Sequence, residues 1–171
     1  SDGGHFENLG IYELVRRRCK LIFAVDAGAD PHRTMSDFAE AVRKCRIDLG
    51  VEIELPERSL LDADDKGHSI QGHARGIIRY DISNPAMDGT LILIKPSLTH
   101  ARGEPADVLN YAQLNPPFPQ QATADQFFDE SQFESYRRLG LHITEACLQQ
   151  HGHLLFRHVN CLPPAASAPR R

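Results

Sequence analysis

The chain has 171 residues with 19 basic and 23 acidic side chains, which gives a formal net charge of −4. Its hydrophobic share of 41% and charged share of 25% are typical of a globular protein, and its length suits one domain. The acidic balance argues against a nucleic-acid partner. No apolar run approaches the roughly 20 residues that span a bilayer, and no signal peptide is visible. We therefore expect a cytoplasmic chain, or one associated with the cytoplasmic side of a membrane.

The first part of the sequence predicts alternating helices and strands. Helical spacing of apolar residues predicts one helix over residues 8–19 and another over 36–49. Between them, residues 21–25 form a continuous apolar run, which is typical of a strand buried on both faces of a parallel sheet. A short strand over 51–55 follows the second helix. A helix that leads directly into such a strand indicates an α/β fold.

Basic side chains crowd the end of the first predicted helix. Arg16, Arg17, Arg18 and Lys20 lie where positive charge interacts favourably with the helix dipole. We interpret them as a solvated helix end. Contact with anionic lipid head groups at a membrane surface is the alternative.

The remainder of the chain predicts a loop, a hairpin and two helices. Residues 56–70 are polar and predict an exposed loop, while 74–82 and 90–95 have strand patterns separated by turn formers, which predicts an antiparallel hairpin. Helices are predicted over 105–114 and 130–150, the second ending at Gly152. The predicted inward face of the second helix comprises Phe133, Tyr136, Gly140, Ile143 and Cys147. The aromatic group predicted to pack in the core comprises Phe127, Phe128, Phe133 and Tyr136.

These elements predict an α/β domain over residues 1–160, with flanking helices and a mixed sheet whose parallel part comes first and whose antiparallel hairpin comes later. Residues 161–171 are rich in Pro and Ala and predict a linker or frayed terminus. The chain begins with Ser1 rather than Met, which indicates a fragment or a processed chain.

The cysteines and histidines give no clear metal or redox motif. The four cysteines contain no C-x-x-C pair, which favours free thiols in a reducing compartment, although their even number leaves two disulfides open. His151, His153 and His158 are candidates for a metal site, but Gly152 interrupts helical spacing and no matching ligand follows. We expect no metal, and a metal-binding module is the weakest reading of the chain.

Two carboxylates follow the apolar run at 21–25. Asp26 and Asp30 lie just past the end of that predicted strand, where α/β folds place their ligand sites. They are candidates for the rim of an active site or for a cation site. The alternative is that they cap the loop before Pro31.

Asp2, Gly3 and Gly4 are the leading candidates for chemistry. Adjacent glycines permit a tight loop, and their N–H groups can hydrogen-bond the carboxylate. The D-G-G triplet is followed by N-L-G-I-Y-E-L, and residues 1–30 as a whole resemble the C-terminal half of bacterial patatin-like phospholipases. The resemblance extends over residues 36–50 and resumes at 123–137, so that it covers roughly half of the chain.

The resemblance implies the C-terminal part of a three-layer α/β catalytic domain that hydrolyses acyl esters of lipids. Patatin-like enzymes use a Ser–Asp dyad, which requires no metal or cofactor. By resemblance Asp2 is the Asp of that dyad, with Gly3 and Gly4 completing its loop. A lipid or another acyl ester is the implied substrate, and contact with a membrane surface is implied as an option.

The nucleophile of such a dyad is absent from these 171 residues, since no G-x-S-x-G occurs in them. The segment around Ser69 does not match G-x-S-x-G, because Gln71 occupies the place of the second glycine. We therefore do not interpret Ser69 as the nucleophile. In the family the serine and the oxyanion loop precede the Asp, so their absence favours truncation, and we expect the chain alone to be inactive. The alternative is a non-catalytic interaction or regulatory module. In either case we expect self-association through an exposed sheet edge.

Overall fold

The computed structural model describes residues 5–57, 60, 62, 64, 68–101, 103–122 and 124–159, with backbone alone for 156–159. Asp2, Gly3 and Gly4 lie outside the described residues, as does the predicted tail over 161–171. The helices are α1 (Ile11–Arg16), α2 (Ser36–Leu49), α3 (Ala106–Leu114) and α4 (Glu130–Val159), and the strands are β1 (Leu21–Val25), β2 (Glu52–Glu54), β3 (His73–Arg79) and β4 (Gly89–Ile94). Within this described part, no helix has the length and apolar character needed to cross a membrane.

The four described strands form one mixed sheet in the order β1-β4-β3-β2. β1 runs parallel to β4, with Leu21 opposite Thr90 and Val25 opposite Ile94. β3 runs antiparallel to both β4 and β2. The predicted hairpin is therefore confirmed, and so are the mixed sheet and the α/β class. The parallel pair joins strands that are distant in the sequence, and the chain between them forms α2, β2 and β3.

Helices cover both faces of the sheet. On one face α1 and α2 pack against alternate residues of β1 and β4, including Ile22, Ala24 and Leu91. On the other face α3 and α4 pack against the intervening residues Ile92 and Ile94. This arrangement follows from the period of two along a strand, since consecutive side chains point to opposite faces.

β1 departs from the prediction of burial on both faces. Phe23 is 38% exposed and Val25 is 59% exposed, whereas Ile22 and Ala24 are buried. The reason is the position of β1, which is one of the two outer strands of the described sheet. The helices of the second face pack on Ile92 and Ile94 of the neighbouring strand. The apolar run therefore forms a strand with one buried face and one apolar face that is partly open to solvent.

α4 is longer than predicted, because it continues through Gly152 to Val159. A glycine inside a helix costs about 1 kcal/mol relative to alanine. The helix continues because His151 and Leu154, on either side of Gly152, are buried against the rest of the chain. The stabilisation from packing therefore outweighs the low helix propensity of glycine.

The start of α4 presents a different face from the predicted one. Phe133 is exposed, and the buried positions are Gln132, Ser135, Leu139, Ile143 and Cys147. Phe127 is 94% exposed, so its predicted place in the core is wrong. Tyr136 is partly buried and meets the ring of Phe118 edge to face at 4.8 Å.

Candidate functional site

The parallel strands β1 and β4 define a crevice at their carboxyl ends. The chain leaves β1 toward α2 on one face of the sheet, and it leaves β4 toward α3 on the opposite face. Adjacent parallel strands whose connections diverge in this way form a topological switch point. Open α/β sheets bind their ligands at that place.

A buried ion pair joins the ends of these two strands. Asp26 follows β1 directly, Lys95 follows β4 directly, and the Asp26 amide donates to the Ile94 carbonyl over 2.9 Å. The Lys95 Nζ atom lies 2.9 Å from Asp26 Oδ2, with the side chains 1% and 3% exposed. Because the strands are parallel and in register, the residues that follow them meet at the same edge.

The loop after β1 satisfies the remaining polar atoms of this pair. The Gly28 amide donates to Asp26 Oδ1 over 3.1 Å, and Lys95 Nζ donates to the Gly28 carbonyl over 3.1 Å. A Cβ atom at Gly28 would lie 3.3 Å from Asp26 Oδ1, so the glycine permits this close approach. Both oxygens of Asp26 therefore have donors, and the ammonium of Lys95 balances the charge of the carboxylate.

Asp30 holds the turn that leads into α2. Its Oδ1 accepts from the Thr34 amide at 2.9 Å and the Thr34 hydroxyl at 3.0 Å, and its Oδ2 accepts from the Met35 amide at 2.7 Å. Burial acts to raise the pKa of the Asp30 carboxyl, but these donors outweigh burial, and the pKa lies below its ordinary value. These contacts correspond to the loop-capping alternative for Asp30.

Gln120 joins the loops around the crevice, although no motif or spacing in the sequence distinguishes it. Its Oε1 accepts from the Asp30 amide over 2.7 Å, and its Nε2 donates to the Pro96 carbonyl over 3.0 Å. One side chain therefore fixes the segment after β1 against the segment after β4. Lys95 was also missed, although a lysine directly after an apolar strand is a signal that could have found it.

The loops that follow these strands line a cavity of about 620 Å³. Residues from the loops after β1 and β4, from α3 and from a Pro-rich segment form its walls. The lining comprises Pro31, Arg33, His68, Leu98, Thr99, Leu109, Ala112, Gln113, Pro116, Pro117, Phe118, Pro119 and Gln120. This volume falls within the range of about 300–1,000 Å³ that is usual for small-molecule sites.

Of the other predicted candidates, Ser69 lies beside the crevice, where its amide donates to the Leu98 carbonyl over 3.0 Å, and His151 lies on α4. Ser69 is fully buried, and its hydroxyl donates to the Gln71 carbonyl over 2.8 Å. His151 packs edge to face against His73, with ring centroids 5.5 Å apart. Among the residues that the structure describes, no cluster of three or more His, Cys, Asp or Glu side chains is arranged to hold a metal ion.

Comparison with known proteins gives two short matches. Over 41 residues the chain is 44% identical to Lysophospholipase NTE1 of Eremothecium gossypii, a match that covers 24% of this chain and 3% of that protein. Over 41 residues it is 39% identical to Lysophospholipase NTE1 of Kluyveromyces lactis, with the same coverage of 24% and 3%. No family model and no solved structure matches the chain.

These matches support a local similarity to lysophospholipases. They agree with the lipid-hydrolase class that the D-G-G segment indicates, and they span only 3% of the length of the curated relatives. Neither named organism is a bacterium, so the matches give no support to a bacterial origin.

Proposed function

We propose that this chain is the C-terminal part of a patatin-like lipid acyl hydrolase and contributes Asp2 as the base of a Ser–Asp dyad. The observation that carries the proposal is the similarity to two lysophospholipases over 41 residues. The D-G-G triplet at Asp2, Gly3 and Gly4 supports it. An α/β sheet with a crevice at the ends of its parallel strands is also a suitable frame for such an enzyme.

The proposed reaction is ester hydrolysis through an acyl-enzyme. A serine from elsewhere in the parent protein attacks the ester carbonyl, and its proton passes to the carboxylate of Asp2. The alcohol leaves and takes that proton. Water then attacks the acyl-enzyme, gives its proton to Asp2 and releases the fatty acid, and the proton returns to the serine. Backbone N–H groups must stabilise the oxyanion in both steps.

The test uses the parent protein that contains this segment and the nucleophilic serine. We expect hydrolysis of a short-chain p-nitrophenyl ester and of a lysophospholipid, and we expect Asp2→Asn to lower kcat by at least a hundredfold. A loss of this size is typical when a catalytic base is removed. Asp81→Asn is the matched control, because Asp81 is an exposed carboxylate in the turn before β4. Full activity of Asp2→Asn would overturn the assignment.

The second candidate is an interaction module that associates with itself through β1. The outer edge of β1 has no neighbouring strand among those described, and the strand presents Phe23 and Val25 to solvent. Unpaired edges with apolar side chains favour pairing with another chain. Antiparallel pairing of two β1 strands about Phe23 would bring Phe23 and Val25 of the two copies together, so that apolar side chains now open to solvent would become buried.

The oligomeric state tests this candidate. We expect the 171-residue chain to dimerise in sedimentation analysis, and we expect Val25→Lys to shift it toward the monomer. Ile47→Lys is the control, since Ile47 is also exposed but lies on α2. A wild-type chain that stays monomeric at all accessible concentrations would refute self-association without bearing on the hydrolase proposal.

A further inference from the structure

We propose that Asn8 is a positioning residue for the candidate base. Through its contact with Asp37 it fixes the segment that follows D-G-G against the start of α2, and so helps to hold Asp2 in its working orientation. This inference rests on the proposed function, because it takes Asp2 as the base of the dyad. Its test is chosen so that it can fail while the hydrolase proposal stands.

Asn8 binds the first turn of α2. Its Nδ2 atom donates to Asp37 Oδ2 over 3.0 Å, between residues that are 29 positions apart in the sequence. A carboxylate acceptor makes this a stronger hydrogen bond than one between two neutral groups. Asp37 belongs to a helix of 14 residues. The contact therefore attaches the N-terminal segment to a regular element of the fold rather than to another loop.

The two residues before Asn8 hold the same segment. Glu7 is buried, and its two carboxylate oxygens accept from the Leu9 amide at 2.6 Å and from the Tyr12 amide at 3.2 Å. The ring of Phe6 meets that of Tyr12 edge to face at 4.8 Å, and Lys44 Nζ of α2 lies 4.1 Å from the centroid of the Phe6 ring. Consecutive side chains at 6, 7 and 8 therefore all restrain the chain that leads out of D-G-G.

The contact with Asp37 also brings this segment to the loop that follows β1. Asp37 Oδ2 lies 3.6 Å from the position that a Cβ atom of Gly28 would occupy. The Gly28 amide in turn donates to Asp26 at the end of β1. Asn8 is therefore held beside the carboxyl end of a parallel strand, where α/β folds place their ligand sites.

A catalytic base depends on restraints of this kind. The carboxylate accepts the proton of the serine only within hydrogen-bond distance, and a misplacement of about 1 Å can lower the rate about a hundredfold. Glycine restricts the backbone less than any other residue, so a loop that contains two adjacent glycines depends on its flanks for a fixed geometry. Of the flanking contacts, the hydrogen bond from Asn8 to Asp37 is the one whose two partners can be exchanged.

The experiment exchanges these partners in the parent protein that contains the nucleophilic serine. Asn8→Asp places two carboxylates where the hydrogen bond was, and we expect kcat for the p-nitrophenyl ester to fall about tenfold or more with KM almost unchanged. The double variant Asn8→Asp with Asp37→Asn restores an amide–carboxylate pair, so kcat should return to within about threefold of the wild type. Asn110→Asp is the control, because it makes the same change at an exposed position of α3 and should keep full activity.

Urea unfolding of each variant gives the folded fraction, and kcat is expressed per mole of folded protein. A merely structural contact would change the folded fraction and leave this kcat unchanged, whereas a positioning residue changes it. Full kcat in Asn8→Asp, or a double variant as slow as Asn8→Asp, overturns the role of Asn8 while Asp2→Asn continues to test the hydrolase proposal. An active Asp2→Asn protein overturns both.

Discussion

The Lys95 ammonium and the Asp26 carboxylate form an ion pair that is almost completely shielded from water, with Nζ and Oδ2 2.9 Å apart. The pair connects the ends of the two parallel strands. A charge in such a position is strongly unfavourable without its partner, because the desolvation penalty is no longer offset. The strand ends therefore depend on both residues.

Loss of one partner should destabilise the protein more than loss of both. We expect Lys95→Met to lower the free energy of unfolding by about 3–5 kcal/mol, since the Asp26 carboxyl group would remain buried without its partner. The double variant Lys95→Met with Asp26→Leu should lose less than Lys95→Met alone. Urea unfolding of the wild type, both single variants and the double variant measures this coupling. Additive losses would contradict the dependence of each charge on the other.

A side chain at Gly72 should destabilise the protein, because α4 packs directly on this residue. A Cβ atom at this position would lie 2.7 Å from both Cγ1 and Cδ1 of Ile143. We expect Gly72→Ala to cost about 1–3 kcal/mol of stability, and Ile143→Ala to recover part of that loss in the double variant. Gly140→Ala in α4 is the control. Its Cβ would meet nothing within 4 Å, so helix propensity predicts a gain of about 1 kcal/mol. Thermal unfolding distinguishes these outcomes.

Acid should destabilise the contact between α4 and β3. Burial lowers the pKa of His151 below its ordinary value of 6.5, with a like-charge effect from His73, Arg75 and His153 and an opposing effect from Glu57. As the pH falls below about 6.5, the unfolded chain binds a proton that the folded chain does not, so stability decreases. The loss of stability continues until the pH falls below the pKa of His151 in the folded protein.

Replacement of His151 tests this pH dependence. Unfolding free energies of His151→Phe should fall less steeply than those of the wild type between pH 7 and pH 5. His32→Phe is the control, because His32 is exposed and is not among the groups that shift the pKa of His151. An unchanged slope in His151→Phe would exclude His151 as the source.

The more deeply a cysteine is buried, the more slowly its thiol should react. The three described cysteines are free thiols, of which Cys45 and Cys147 are buried and Cys19 is partly exposed. Burial, with a smaller effect from Glu7 and Asp48, raises the pKa of Cys45 to about 11, and burial raises that of Cys147. In a Cys161→Ser background we expect Cys19 to react first with a thiol reagent at pH 8, because the thiolate is the nucleophile. Faster modification of Cys45 in the folded protein would contradict the described burial.

Much of the fold could be predicted because local patterns agree with it. The apolar run at Leu21–Val25, the helical spacing over Ser36–Leu49 and the turn before Gly89 each correspond to an observed element. The errors have tertiary causes. Phe23 and Val25 are exposed because β1 is an outer strand of the described sheet, and Gly152 remains helical because its neighbours are buried.

The sequence by itself determined the α/β class, the hairpin, and the carboxylates that follow the first strand, because these depend on patterns within a few residues. It also carries the D-G-G segment, whose catalytic role remains a proposal. The tertiary structure alone decided that Asp26 meets Lys95 and that Gln120 joins Asp30 to Pro96. Lys95 and the Gly28 carbonyl that it binds are 67 positions apart. No local pattern specifies which strands become neighbours, and the crevice exists only once β1 pairs with β4.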